Sequence, residues 1–289
     1  MDTPPRTSTA LRAAVRALAA AEVPDPAVDA ELLLAHVLGT SRGGAQAAAL
    51  RDDVIAPAQH ERFDALIARR AGREPLQHLT GLAPFRHLEL EVGPGVFVPR
   101  PETEVVAQLA IDALAAVSHP HPRAVDLGTG SGAIALAMAT EVSHAEVWAI
   151  ERSADAYAWA ARNVARYGGR NTHLVHGDLA HAAAELDGTL DVVASNPPYV
   201  PDDAVPRDPE VRLFDPPQAL YGGADGLDVV RVLSRTALRL LREGGALVIE
   251  HGEWQGASIR ALLASDGWRA AATHPDLTQR DRATTAIRP

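Results

Sequence analysis

Residues 195–200 read Ser-Asn-Pro-Pro-Tyr-Val and follow an apolar, β-branched run, "LDVVA", at 190–194. Two successive prolines remove two backbone donors and hold Asn196 extended, so a good strand ends abruptly there. The residues left at that end have chemistry to offer. The side-chain oxygen of Asn196 accepts one hydrogen of an amino group, and the carbonyl of Pro197, freed from strand pairing, accepts the other. Pro198 and Tyr199 complete the surroundings, with Tyr199 presenting a flat face to a planar amide or base. Such a site grips a planar amino group by both hydrogens and aims its nitrogen. Taken alone, the hexapeptide reads as a structural Asn-Pro turn. Its company elsewhere in the chain changes that reading.

"VDLGTGSG" (125–132) closes an earlier strand-like run, and Gly128, Gly130 and Gly132 let the backbone turn sharply and approach a ligand. The third glycine comes one residue too early for the dinucleotide fingerprint, so a pyrophosphate is not specifically implied. Asp126 ends that run. Glu151 ends the next one, 23 residues after Gly128, about where a doubly wound fold places the acid for ribose hydroxyls. Asp178 follows the third. Singly, Glu151 reads as a helix-capping acid and Asp178 as a turn residue. Together, at successive strand ends, the three point to a nucleoside pocket.

The elements that must position these groups are legible from period and punctuation. The first 80 residues or so read as short helices: Asp25-Pro26 caps one with Val28, Leu32 and Ala35 at helical spacing and Gly39 at its end, and Pro57 opens another that Gly72 closes. "HLELEVGPGVFV" (87–98) alternates apolar and polar residues around Gly93-Pro94-Gly95 and is expected to be a β-hairpin joining two halves. "PRPETE" (99–104) suits a helix start, with a place in the pocket equally open. Strands are expected at 124–127, 145–150, 171–177, 190–194 and 246–252, with a helix over 227–245 and a terminal antiparallel pair from "WRAAATHPD" and "ATTAIRP". Alternating strands and helices imply an α/β, doubly wound, mostly parallel sheet.

Composition narrows the classes. The chain of 289 residues is 47% hydrophobic, has no cysteine, and carries no apolar run approaching a membrane span, so disulfide frameworks and thiolate metal sites are excluded and a cytoplasmic protein is expected. The N-terminal stretch, with Arg12 and Arg16, reads as a first amphipathic helix rather than a targeting segment. All 27 basic residues are arginine, which rules out a catalytic lysine. Residues 81–289 hold 18 Arg against 27 acidic groups, a balance of −9 that disfavours a polyanionic partner. His173 and His176 face opposite sides of a strand, His119 and His121 lie in a Pro-rich loop and are expected to be solvated, and His251 reads as a satisfied structural residue; no metal is expected.

At these residues the sequence resembles the HemK/PrmC family of class I S-adenosylmethionine-dependent methyltransferases, the release factor glutamine N5-methyltransferases. The likeness is carried by "LTG" (79–81), "VPRPETE" (98–104), "VDLGTGSG", Glu151, "GD" (177–178), "SNPPYV", "DPPQALYGGADGL" (215–227) and "IEHG" (249–252), and covers nearly the whole chain. It implies a seven-stranded Rossmann-like domain at 99–289, a helical substrate-recognition domain at 1–82 and a β-hairpin linker at 83–98. It also implies transfer of a methyl group from S-adenosyl-L-methionine, leaving S-adenosyl-L-homocysteine, to the amide nitrogen of a glutamine in the Gly-Gly-Gln loop of peptide chain release factors. Cofactor contacts are implied for Asp126, Gly128, Thr129, Gly130, Ser131, Gly132, Glu151, Asp178, Leu179 and Asn196, and substrate contacts for Asn196, Pro197, Pro198 and Tyr199. Leu179 stands where some members carry a bulky aromatic. The expected protein is a monomer without nucleic-acid or membrane partners. Three rivals remain: a glutamine methyltransferase of a ribosomal protein, an adenine N6-methyltransferase, and a non-catalytic nucleoside-binding module.

Overall fold

The structure is a computed structural model and describes residues 5–181 and 183–289. The chain divides into two compact units: one runs to Leu82 and takes in Arg207–Phe214, and the other holds Ala83–Pro206 with Asp215–Pro289.

The first unit is helical: α1 (Thr7–Ala20), α2 (Pro26–Leu38), α3 (Arg42–Arg51), α4 (Pro57–Ala71), α5 (Leu76–Thr80) and the later α9 (Pro209–Phe214). Pro26 and Pro57 each open a helix, and Gly39, at φ 65°, closes α2 in the left-handed conformation, as the sequence implies. Leu18, Leu33, Leu34, Ile55 and Phe63 form its core. The segment 207–214 is not an appendage of this unit's sequence but is held to it by charge. The buried Arg70 guanidinium binds Asp29 at 2.7 Å and Glu210 at 2.8 Å, and Arg73 binds the other Glu210 oxygen at 2.7 Å. Burial opposes the Glu210 charge, but the hydrogen bonds from Arg73 and Arg70 outweigh it and hold the carboxyl down at about 2.

In the second unit, strands β3 (Arg123–Leu127), β4 (Glu146–Glu151), β5 (Thr172–His176), β6 (Leu190–Ser195), β7 (Leu241–Glu250), β8 (Arg269–Pro275) and β9 (Asp281–Ile287) form one sheet in the order β5-β4-β3-β6-β7-β9-β8. Pairings are parallel from β5 to β7 and antiparallel through β9 and β8. The sheet is therefore the mostly parallel, seven-stranded, Rossmann-like arrangement expected. Successive strand residues alternate faces. Val147, Ala149, Val192, Ala194 and Val248 pack with α6 (Thr103–Ala115) and α7 (Ala133–Glu141), while Val125, Ile150, Val193, Leu247 and Ile249 pack with α11 (Asp228–Leu240) and α12 (Gly256–Ser265). Helix α8 (Ala154–Tyr167) follows β4, and the short α10 (Pro217–Leu220) precedes α11. Among the described residues, no helix is long and apolar enough to cross a membrane.

Two elements differ from expectation. The hairpin is β1 (Leu82–Phe85) with β2 (Leu88–Glu91), not 87–98. Its turn needs Arg86 at φ 54°, a conformation stabilised by distant partners: Glu104 accepts from the Arg86 amide at 2.9 Å and Glu141 pairs with its guanidinium. Beyond it, residues 92–98 run without strand pairing, burying Val92, Val96 and Val98 against Ala156. Gly93 serves close packing there, since a Cβ would lie 2.5 Å from the Trp159 ring. Likewise, the helix expected over 227–245 ends at Leu240, because Leu241 turns extended (ψ 147°), is fully buried and pairs with Leu190.

Candidate active site

Strands β4 and β5 lie on one side of β3, and β6 and β7 on the other. The crevice outside the carboxyl ends of β3 and β6 is the topological switch point where open α/β sheets bind ligands. The glycine loop starts there. Gly128, Gly130 and Gly132 all have positive φ (75°, 58° and 90°), and a Cβ built on Gly128 or Gly130 meets nothing within 4 Å, so the loop backbone borders open space. The loop is tied from three sides. The Gly128 and Thr129 amides donate to Ile150 O at 2.9 Å, the Gly130 amide donates to Glu151 Oε2 at 2.9 Å, and Asn163 Nδ2 donates to Ser131 O at 2.9 Å.

Asp126 is fully buried below this loop. Its Oδ2 accepts from Thr129 Oγ1 at 2.6 Å and from the Ala135 amide at 3.1 Å, while Oδ1 is buried without a partner among the described residues. Burial outweighs the two hydrogen bonds and pushes the carboxyl up to about 7. Glu151 is nearly buried, and its two oxygens accept from the Gly130 and Ser153 amides at 2.9 and 2.8 Å. It therefore does the local capping that its position at a strand end allows. Each oxygen keeps a second lone pair for another donor. Asp178 is exposed, accepts from the Ala180 amide at 2.9 Å and lies 3.8 Å from Arg152, which is the behaviour of a turn residue. Leu179 is partly buried against the core that packs with α11 and α12.

Strand β6 ends at Ser195, whose hydroxyl donates to Leu127 O at 2.6 Å and fastens β6 to the end of β3. Asn196 thus emerges beside the glycine loop's strand, and Pro197 lies beyond the ladder. Asn196 Nδ2 donates to Thr103 Oγ1 at 3.4 Å; its Oδ1 makes no hydrogen bond among the described residues. The Tyr199 hydroxyl donates to Glu250 Oε1 at 3.5 Å, and burial, followed by the Glu250 charge, pushes its phenol up. Its backbone carbonyl accepts from Gln255 Nε2 at 2.9 Å.

Several of these supports are not legible in the sequence around Asn196. Thr103 comes from "PRPETE", so that segment both starts α6 and reaches Asn196. Glu250 is fully buried at the end of β7 with Oε2 unpartnered among the described residues, and Arg282 of β9 bears on both Glu250 and Tyr199. The "DPPQALYGGADGL" stretch is a cradle. Val200 pairs with Tyr221, Arg100 holds the buried Asp215 at 2.6 Å, and a Cβ on Gly222 or Gly226 would lie 2.5 Å from Pro198 O or 2.2 Å from Tyr199 O. The "YGG" and "DG" pairs are the signal that could have found this, as glycines where two backbones touch.

Several histidines have structural partners. His119 is not simply solvated: it bonds Asp191 at 3.1 Å. His173 stacks on Trp148 and His176 tilts against Tyr157. His251 is buried between Gly252 O and Thr284 Oγ1, both at 2.9 Å, and burial lowers its pKa.

Comparison with known proteins bears on the whole chain. Residues 9–81 match the family described as the PrmC N-terminal domain, and residues 87–216 match the methyltransferase small domain. A release factor glutamine methyltransferase of Streptomyces coelicolor is 49% identical over 279 residues, covering 94% of this chain and 95% of that one. A 4-amino-L-phenylalanine/4-methylamino-L-phenylalanine methyltransferase of Streptomyces pristinaespiralis is 39% identical over 264 residues, covering 90% and 87%. The crystal structure of a methyltransferase from Pyrococcus furiosus shares the fold, with TM-score 0.51 at 20% identity over 78% of this chain and 96% of that one.

Proposed function

Because the chain belongs to the release factor glutamine methyltransferase family, we propose that it methylates the side-chain amide nitrogen, N5, of a glutamine in the Gly-Gly-Gln loop of peptide chain release factors. The observation that carries this reading is the 49% identity to such an enzyme along 94% of the chain. S-adenosyl-L-methionine is the proposed donor; when bound, it supplies a methyl group on a sulfonium and leaves as S-adenosyl-L-homocysteine. The residues fit it. The loop Gly128-Thr129-Gly130-Ser131-Gly132 borders open space, Asp126 keeps one buried oxygen without a partner among the described residues, and Glu151 has lone pairs to spare for ribose hydroxyls. Asp178, Leu179 and Asn196 are proposed to complete the cofactor's surroundings.

The chain's own part in the reaction is positioning. An amide nitrogen is a poor nucleophile because its lone pair is delocalised. Asn196 Oδ1 and the Pro197 carbonyl accept its two hydrogens, and acceptors so placed favour a pyramidal nitrogen as the new bond forms. Pro198 and the ring of Tyr199 bound the amide plane. Holding the nitrogen in line converts an encounter into an intramolecular step. No general base is required before the methyl group has moved. The helical region 1–82 is proposed to recognise the release factor, with 83–98 as linker and 99–289 as transferase, in a cytoplasmic monomer that binds neither nucleic acid nor membrane.

A second acceptor class is favoured by one observation, the relative named for an aromatic amine, whose planar amino group suits the same grip. The test is methyl incorporation from labelled S-adenosylmethionine into release factor, ribosomal protein, 4-aminophenylalanine and DNA, each at equal concentration. Incorporation into release factor, abolished when its loop glutamine is replaced, is the expected result; preferential labelling of the amino acid, ribosomal protein or DNA overturns it.

A further inference from the structure

Resting on that reading, we infer that Trp254 and Leu277 form an apolar anchor on the rim of the acceptor site, and that its occupant is the release factor, in the surface flanking the target glutamine. The transferase unit would then hold its protein substrate by contacts of its own.

Strand order puts both residues at the edge of the sheet that bears the site. Asn196 follows the carboxyl end of β6, and Trp254 follows the carboxyl end of β7, its parallel neighbour. β9 runs antiparallel to β7, with Ala283 opposite Glu250, so the turn that leads into β9, with Leu277, returns to the same edge. Adjacent strands stand about 4.8 Å apart, which places β7 and β9 about 5 and 10 Å from β6. An extended chain advances about 3.3 Å per residue. A protein that lays a glutamine on Asn196 and Tyr199 therefore meets the anchor with residues only about two or three places away, and with the surface that carries them.

Each residue stands on a turn that is tied down. Gln255 closes the first turn: its amide donates to Gly252 O at 3.0 Å, its Oε1 accepts from the Gly252 amide at 2.9 Å, and its Nε2 donates to Tyr199 O at 2.9 Å. Buried Asp276 closes the second. Its Oδ1 accepts from the Thr278 amide at 2.8 Å, the Thr278 hydroxyl at 2.6 Å and the Arg280 amide at 3.2 Å, and its Oδ2 accepts from Arg282 Nε at 3.3 Å. The turns are also fastened to each other. Arg282 Nη1 donates to His251 O at 3.3 Å, and the Glu253 carboxylate lies 3.9 Å from Arg280 Nε.

At the tips of these turns Trp254 is 84% exposed and Leu277 88%. A single exposed apolar side chain needs no explanation. Two of them, on turns fastened to each other and to the backbone of Tyr199, make a preorganised anchor, and an aromatic side chain held in place loses little freedom on docking. The acceptor protein is the occupant because the anchor is continuous with the acceptor site: Gln255, next in the chain to Trp254, holds Tyr199. The neighbouring charges pair among themselves, Glu253 with Arg280 and Asp276 with Arg282, so the surface suits an apolar protein contact rather than a polyanion.

The experiment compares wild type with Trp254→Phe and with the double variant Trp254→Ala, Leu277→Ala, in steady-state methylation of intact release factor. The double variant should raise KM for release factor about 10–100-fold, the scale of losing an interface anchor. Its kcat at saturation, its cofactor affinity by calorimetry and its thermal midpoint should match wild type, because both side chains are exposed and neither touches the reacting atoms. Trp254→Phe, which keeps an aromatic ring, should stay near wild type. Release factor with its loop glutamine replaced should shift the tryptophan emission of the wild-type enzyme to the blue, and that shift should be missing in Trp254→Phe. A folded double variant with wild-type KM, or an emission shift that persists in Trp254→Phe, overturns the inference alone. So does sedimentation of the wild type as a dimer that the double variant abolishes, which would assign the anchor to a second copy of the chain. Wild-type protein inert toward release factor overturns the proposed function and this inference with it.

Discussion

Gly226→Ala tests whether the site works by fixed geometry. Gly226 has φ 74°, and a Cβ built on it lies 2.2 Å from the Tyr199 carbonyl oxygen and 2.7 Å from Gln255 Nε2. Real Cβ atoms essentially never come within 3.0 Å of a neighbour, so the Tyr199 carbonyl must retreat by about 0.8 Å. It has little freedom to do so harmlessly. That carbonyl already accepts from Gln255, and Pro197 and Pro198, with fixed φ, transmit the shift toward Asn196. A misplacement approaching 1 Å costs about 10²-fold in rate. Stability should fall by about 1–2 kcal/mol for the left-handed backbone and by a further ~1–3 kcal/mol for overpacking. Gly188→Ala is the control, since Gly188 has φ 68° but nothing within 4 Å of a built Cβ. It should show the backbone penalty by urea unfolding and leave single-turnover methylation of release factor intact. Gly226→Ala methylating within about threefold of wild type, a barrier change of only ~0.65 kcal/mol, would refute the reasoning. So would an equal loss in Gly188→Ala.

Asn196→Ala should cut turnover by about 10²–10³ while calorimetry finds a smaller change in cofactor affinity, as expected for a contact that matters most in the transition state. Glu151→Ala should weaken cofactor binding by about 1.5–3 kcal/mol and also lower the thermal midpoint, because the Gly130 and Ser153 amides lose their acceptor. Arg70→Met leaves Asp29 and Glu210 facing each other's charge without their shared cation and should destabilise the helical unit by about 3–5 kcal/mol in urea titration. Glu210 is held down at about 2, so its stabilisation is complete above about pH 4.3 and is lost as pH falls toward 2; an acid-unfolding profile in Glu210→Gln as steep as wild type over that window would contradict this.

What the sequence disclosed, and what it hid, follow from the range of the forces involved. Strands β3 and β6 were legible because burial on both faces writes itself into local composition, as in "LDVVA". The glycine loop was legible because three positive-φ residues at such spacing have few other uses. The hairpin register was not, because Arg86 at φ 54° is stabilised by Glu104 and Glu141, 18 and 55 residues away. The start of β7 was masked by "RLLREGG", whose helix propensity yields to the pairing of buried Leu241 with Leu190. The segments holding Thr103 and Glu250 were legible, but their pairing with Asn196 and Tyr199 was not, because those partners lie 93 and 51 residues off. Local pattern carries no trace of a contact at that separation.

The double proline then has a physical rationale that the hexapeptide alone could not supply. Carbonyl groups in a flexible loop fold back onto the nearest N–H and are lost as acceptors. Here the chain after β6 is given a second, short ladder: the Val200 amide donates to Leu220 O at 2.8 Å, the Gly222 amide to Val200 O at 2.9 Å, and the Asp202 amide to Gly223 O at 3.1 Å. Those bonds fix the loop from Val200 onward, while Ser195 fixes it from the other side through Leu127. Between the two anchors stand Asn196, Tyr199 and two prolines with no N–H to donate and φ already set. They cannot satisfy the Pro197 carbonyl themselves, nor swing to find it a partner. The same prolines that end the strand therefore leave the Pro197 carbonyl without a backbone partner among the described residues, as the proposed grip on a substrate amino group requires.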